Sequence, residues 1–363
     1  MKIKSKLMFF IWIFLMILSI SQLCTALEPK LLWKKKISSQ IDRFSFAKGS
    51  GDVIFIHERK NRITLIDKYG NIGWQWGPSL KRMAGQVSIS DDGTCFVYHT
   101  DFPGETDAPE KPFIHYYDRS KGEIWRKELA GYPTISPDGK YVYVTTGWEG
   151  ATGWLLDSKG DILWKKRDVG PDLGRFSPDG NFIWDGSQLL DKKGNTVLDK
   201  EFPGTLRSIS LNADYLAFEG RGSAVIVRDK DGTVIGTGAD GGILDKSGNI
   251  ILGGKARVSG DGTIGIIYKS DKTEIYKLPE KTLVKEYPIR KALGTSSLSY
   301  NGNVIVIIER TGKESPIKLF IIDLLKNELY EEIIDEGASL DVSKDGKYFL
   351  MRRKSEISFF EIQ

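Results

Sequence analysis

After residue 26 the chain alternates short apolar runs with glycine-bearing turns at a regular interval. Runs such as Tyr141-Val142-Tyr143-Val144 and Val304-Ile305-Val306-Ile307 have the length and β-branched character of strands buried on both faces. No long apolar stripe of helical period interrupts them, which excludes an α/β design. A turn precedes each run: Ile89-Ser90-Asp91-Asp92-Gly93, Ile135-Ser136-Pro137-Asp138-Gly139, Phe176-Ser177-Pro178-Asp179-Gly180 and Val258-Ser259-Gly260-Asp261-Gly262. Looser copies start at Ile209-Ser210, Leu298-Ser299 and Val342-Ser343, and Phe44-Ser45 with its longer turn through Gly49 and Gly51 is read as the eighth. With the serines as markers the spacings are 45, 46, 41, 33, 49, 40 and 44 residues. Asp-Gly and Asn-Gly suit tight hairpins because a turn residue there must accept a positive φ.

A second turn recurs inside most periods. Leu156-Asp157-Ser158-Lys159-Gly160-Asp161-Ile162-Leu163-Trp164 has relatives at 66–74, 117–125 and 190–198. Each period thus holds about four strands in roughly 40–45 residues, the spacing of a propeller blade. The Ser-Pro-Asp-Gly turns resemble those of WD-repeat propellers, without their Gly-His or Trp-Asp signatures. The Asp-x-x-Gly-x-x-x-Trp segments (Asp67/Gly70/Trp74 and Asp157/Gly160/Trp164) resemble the tryptophan-docking motif of quinoprotein-like propellers, which implies that each Trp packs on the neighbouring blade. The resemblance covers nearly all of the chain after residue 26 and implies fold alone, since the vicinal cysteine pair of the quinoprotein cofactor site is absent.

The expected fold is therefore an all-β propeller of four-stranded blades, eight from the markers, with seven as the alternative. Leu31-Leu32-Trp33-Lys34-Lys35-Lys36 matches an outer strand such as Leu163-Trp164-Lys165-Lys166 but has no inner strands ahead of it, while the last copy at 340–362 stops after its inner strands. The N-terminal strand is expected to complete the last blade and close the ring, hiding both edges. The irregular stretch is 230–258, where Leu244-Asp245-Lys246-Ser247-Gly248 reads as an extra turn.

Residues 1–26 change the picture of charge and location. They have a lysine-bearing start, an apolar run from Leu7 to Ile20, and Cys24-Thr25-Ala26 before the expected cut. This is the layout of a cleaved secretory signal, followed by a single domain at 27–363. The alternative is an uncleaved anchor, although the fourteen apolar residues fall short of the roughly 20 that span a bilayer. A lipoprotein cut before Cys24 is disfavoured by the bulky Leu23. The formal charge is +4, from 52 basic and 48 acidic residues, and Lys2, Lys4 and Lys6 supply three of those charges. A near-neutral body gives no footprint for nucleic acid. Cys95, left alone by cleavage, lies in a strand-like run and reads as a buried, inert thiol.

Candidate chemistry collects on the first strand of each blade, which lines the channel. Two residues before the markers stand Arg43, Ser88, Thr134, Arg175, Ser208, Arg257, Ser297 and Asp341, all polar, and the intervening row is all apolar. Arg43, Arg175, Arg257 and Asp341 form a candidate site for an anionic ligand, because guanidinium forks suit carboxylate and phosphate. The plainer reading is hydrogen bonding between blades. His57 and His99 occupy equivalent places in adjacent blades, six residues after Gly51 and Gly93. With Trp148 they are expected to face a partner, or to contribute to a metal site completed by Glu219 or Asp101. His115 reads as structural. The loops at Lys81-Arg82-Met83, 101–112, Trp148-Glu149-Gly150 and Arg290-Lys291 suit a protein contact, and turn chemistry accounts for the aspartate-rich turns without calcium.

The sequence favours an exported, non-catalytic propeller that binds a protein or helps assemble an envelope complex, with no cofactor, no nucleic acid, and membrane contact only through an uncleaved signal segment. The alternatives are a propeller enzyme, either a quinoprotein-like oxidoreductase or a lactonase-like hydrolase, and a small-anion-binding protein using the channel.

Overall fold

The repeated serine is a hydrogen-bonding hub. In the computed structural model Ser90, Ser136, Ser177, Ser259 and Ser343 are buried and donate their hydroxyls to the aspartate two residues on, at 2.5–2.7 Å. Each also accepts the backbone N–H five residues on, as do Ser210 and Ser299. The serine thereby satisfies a buried amide at the hairpin's neck while the aspartate holds the tip. Gly139 takes φ +73° at the tip of its turn, and blade 5 makes the same turn with Asn212 and Ala213 at φ +53° and +54°, a costlier solution for residues carrying Cβ.

The structure describes residues 27–37, 40–57, 62–77, 83–101, 111–146, 151–170, 174–199, 204–220, 225–228, 234–238, 241–290, 296–310, 315–335 and 338–363. The expected signal segment 1–26 lies outside them, as do Lys81-Arg82, most of the 101–112 loop, Trp148-Glu149-Gly150 and Lys291.

Eight four-stranded antiparallel sheets form the ring. In chain order, blade 1 spans 41–76, blade 2 83–128, blade 3 132–169, blade 4 175–199, blade 5 204–253, blade 6 255–287 and blade 7 296–334. Blade 8 takes three strands from 339–362 and its outer strand, Pro29–Lys36, from the other end of the chain. The expected closure is thus present. It is reinforced where Lys344 of blade 8 donates its N–H to the Lys48 carbonyl of blade 1 at 2.7 Å.

The core is divided into eight apolar clusters, one at each blade interface. Second strands feed two clusters each, because alternate side chains point to opposite faces. In Val53–His57, Ile54 and Ile56 pack with blade 2 while Val53 and Phe55 pack with blade 8. This two-sided burial explains the continuous apolar runs. Blade 4, the source of the 33-residue spacing, has strands of two to four residues, and the buried cluster between blades 3 and 4 contains only Tyr143, Leu155, Phe176 and Ile183.

Tryptophan docking occurs at three interfaces. Trp33, Trp125 and Trp164 donate their indole N–H groups to the carbonyls of Lys68, Ser158 and Lys192 in the next blade, at 2.8–3.1 Å. Their rings lie where a Cβ on Gly70, Gly160 or Gly194 would sit about 3.0–3.1 Å away. Trp74 meets a turn one residue longer, ending at Gly122, and packs instead on Phe96, Tyr98 and Tyr117.

Two readings of the repeat change. The Leu244-Asp245 turn is the regular connection between the third and fourth strands of blade 5. The insertion that lengthens this period is a separate hairpin, Val225–Arg228 with Val234–Gly238, placed between the second and third strands. In blade 1 the marker position is held by Ala47, whose N–H bonds the Asp52 carbonyl as Ser90 bonds Cys95. Ser45 therefore belongs two positions earlier, in the channel row.

Candidate functional site

The first strands surround a central cavity of about 540 Å³. Its middle row, corrected for blade 1, is Ser45, Ser88, Thr134, Arg175, Ser208, Arg257, Ser297 and Asp341, and every member lines the cavity. Arg43 stands two residues further along its strand, exposed and outside the lining.

The row serves two purposes. Ser45, Ser88, Ser208 and Ser297 accept backbone N–H groups from Ile89, Ile135, Val258 and Val342 of the following blades, at 2.8–3.3 Å. These serines stitch neighbouring blades together, as the plainer reading expects. The charged members act differently. Arg175 of blade 4 and Arg257 of blade 6 reach the same acceptor on the blade between them, donating Nη1 to the Arg207 carbonyl at 2.7 and 2.8 Å. Arg257 also donates Nε to Ser296 Oγ at 3.3 Å. The Arg207 side chain turns to Glu219, with Nε to Oε2 at 2.7 Å.

Arg207 escapes the sequence pattern because it is the extra residue of a bulge between Leu206 and Ser208, out of step with the period-two row. Asp341 sits on blade 8. Burial raises its carboxyl pKa, against the opposing fields of Lys48, Arg257, Arg175 and Arg352. At the turn end of the channel, burial likewise raises Asp91 while Lys48 and Lys344 oppose it.

The histidines occupy different surroundings from those expected. His57 and His99 are buried at 8% and 6% exposure, so neither presents an open ring to a partner. His57 Nε2 lies 3.1 Å from Thr64 Oγ1, and burial, followed by Arg62, lowers its pKa. His99 packs edge-on to Tyr132 and against the Gly85 backbone, where a Cβ would lie 2.5 Å from Nδ1. Glu219, a candidate third ligand, is on blade 5 and bonded to Arg207, while the histidines are on blades 1 and 2. No cluster of three or more metal-ligating side chains occurs among the described residues. His115 is structural: it stacks on Tyr98 with ring centroids 4.5 Å apart, and bridges Thr100 and Glu123. Cys95 is a free thiol of intermediate rather than full burial.

Nine of the thirteen large exposed hydrophobic residues among the described residues lie on blades 6, 7, 8 and 1: Leu283, Val284, Leu325, Leu329, Ile333, Leu31, Leu32, Tyr69 and Ile72. Contacts tie parts of this arc together. Lys285, next to Val284, bonds Asn327 near Leu325; Trp33, next to Leu32, bonds Lys68 beside Tyr69.

No protein-family model matches the chain, and no curated protein sequence does. Solved structures do match. The C-terminal WD40 domain of Sif2 aligns over 93% of this chain and 99% of its own, at 12% identity and a TM-score of 0.55. The β-propeller domain of Cps50 (Swd1) from Myceliophthora thermophila aligns over 93% and 100%, at 10% identity and 0.52. BamB from Moraxella catarrhalis aligns over 92% and 100%, at 14% identity and 0.55. Such identities carry the fold alone, and on that ground the chain is an eight-bladed β-propeller similar to both WD-repeat and quinoprotein-like rings.

Proposed function

We propose that this protein is an exported, non-catalytic propeller that holds a protein partner against the outer rim of blades 6, 7, 8 and 1, as a scaffold within an envelope assembly. The observation that carries the reading is the concentration of exposed apolar side chains on that arc, with Leu325 at 77% and Tyr69 at 72% exposure. Exposed apolar side chains gathered on adjoining blades suit contact with another macromolecule. The repeat signature is already committed to structure, with serines in turn hubs and three tryptophans in blade docking. Similarity to a WD40 domain and to BamB supports the architecture. Export rests on the secretory layout of residues 1–26.

The test is affinity capture from envelope extracts with the native chain and with a Tyr69→Lys/Leu325→Lys double variant. A stoichiometric partner retained by the native chain and lost by the folded variant is the expected result. An inert monomer that captures nothing, or equal capture by both chains, overturns the reading.

A further inference from the structure

We infer that the partner of the outer arc supplies an extended segment that adds as a fifth strand to blade 7, along the free edge of Glu328–Ile334. This names the mode of contact within the function proposed above and rests on that reading. Seven of the eight outer strands pair with their third strands through a register shift that leaves at least one outer residue over. Such bulges bend and twist an edge away from further pairing. They also account for exposure: Leu32, Ile124, Leu163, Val197 and Val284 are leftover residues of this kind, and all five are exposed. Blade 7 is the exception. Its outer strand pairs with Ile317–Asp323 in unbroken register from Glu328 to Ile334, and it contains neither proline nor glycine. Seven residues of regular ladder present a row of backbone N–H and C=O groups outward, the template for strand addition.

The side chains set the chemistry of the added segment. Leu329, Glu331 and Ile333 share one face and are all exposed. They stand opposite Ile322, Phe320 and Lys318 of the third strand, so this face looks toward blade 6, where Phe320 and Ile322 are buried. The other face carries Tyr330, packed toward blade 8, and Ile334, which is buried there. A segment with apolar residues over Leu329 and Ile333 and a basic residue between them, over Glu331, matches the exposed row. The strand carries Glu328, Glu331 and Glu332 and no basic residue. Glu331 already pairs with Lys318 at 2.7 Å, but an exposed pair is weak and leaves carboxylate lone pairs for a second cation. The same charge argues against a second copy of this chain. Antiparallel pairing about the strand's centre would set Glu331 against Glu331, and like charges directly opposite are destabilising.

The probe is a short fluorescent peptide with Val-Thr-Lys-Thr-Val at its centre, titrated against the full chain and followed by anisotropy. The expected result is saturable binding that backbone N-methylation abolishes at one alternate set of peptide residues and spares at the other, because only one edge of an added strand faces the blade. Replacing the peptide's lysine with glutamate should abolish binding. Ile333→Lys should weaken it roughly tenfold, by setting a charge against an apolar residue. Glu331→Gln should weaken it about threefold, and Ile124→Lys on blade 2 should bind as the native chain does. No saturable binding, equal effects of the two methylation patterns, or native-like binding by folded Ile333→Lys would overturn strand addition. So would a native dimer dispersed by Ile333→Lys, which would assign the edge to a second copy. Capture of a partner from envelope extracts is measured independently, so failure of strand addition and failure of the partner reading are told apart.

Discussion

Trp33 donates its indole N–H to the Lys68 carbonyl at 2.8 Å and lays its ring where a Cβ on Gly70 would otherwise stand. The bond joins the outer strand of blade 8, the sheet shared by the two ends of the described chain, to the outer turn of blade 1. The ring is therefore closed at its edge by a tryptophan and near its channel by Lys344 and Lys48. Trp33→Ala should destabilise the fold by roughly 2–4 kcal/mol, combining lost aromatic burial with a lost hydrogen bond. Gly70→Ala should also destabilise, since φ is +85° and the new methyl would meet the indole at 3.0 Å. Denaturant unfolding of both variants measures this.

The turn serines predict a mutational cost and an acid limit. Ser136→Ala removes a fully buried acceptor for the Tyr141 N–H and a donor to Asp138, and should cost roughly 1–3 kcal/mol. Burial alone would raise the carboxyls of Asp92, Asp138 and Asp179, but hydrogen bonds from serine hydroxyls and backbone N–H groups outweigh it and hold them below their ordinary value. Because the folded state binds these protons less readily, their contribution is present above the ordinary carboxyl range. It is lost as pH falls through the depressed folded values. Unfolding midpoints should drop on acidification below about pH 4, and drop less in Ser136→Ala, where the Asp138 carboxylate has lost a donor.

His57 should remain neutral at pH 7. Burial and the nearby Arg62 lower its pKa from 6.5, so the unfolded chain takes up a proton before the folded one does. Its contribution to stability is complete above 6.5 and fades as pH falls through the folded value. Histidine NMR should show a titration midpoint below 6.5 for this ring. A midpoint at or above it would contradict the buried placement.

The hairpin 225–238 in blade 5 should be dispensable for the ring. Glu219 and Gly241, which flank the insertion, already pair directly across the second and third strands. Replacing 222–239 with a short glycine-containing turn should leave the circular dichroism unchanged and move the unfolding midpoint by less than about 3 °C, because shortening a connection alters closure entropy only slightly. A large loss of stability would show that the hairpin packs as part of the blade.

The sequence alone determined the blade, its repetition and its closure. The reason is local chemistry: a serine, an acid and a glycine at fixed spacing make the same hydrogen-bonded turn in blade after blade, and Trp33, Trp125 and Trp164 each dock by the same contact on an Asp-x-x-Gly turn of the next blade. The orphan strand at 29–36 and the missing strand after 362 were legible because a blade has four strands. Blade 1 was misregistered by two residues because a shift of two leaves strand alternation intact, with Phe44 and Phe46 equally apolar. The bond from Ala47 to Asp52, with Ser45 accepting the Ile89 N–H, identifies the turn.

The burial of His57 and His99 belongs to tertiary structure for a similar reason: strand position says which face a ring is on, but neighbouring blades decide whether that face is covered. The channel site was half visible. Arg175 and Arg257 stood out in a polar row, whereas Arg207 lies in a bulge outside the period. Their convergence on one carbonyl required three consecutive blades to be curved into a ring. Residues 175, 207 and 257 have no local relation that a sequence pattern encodes, and only the closed fold brings their charges together.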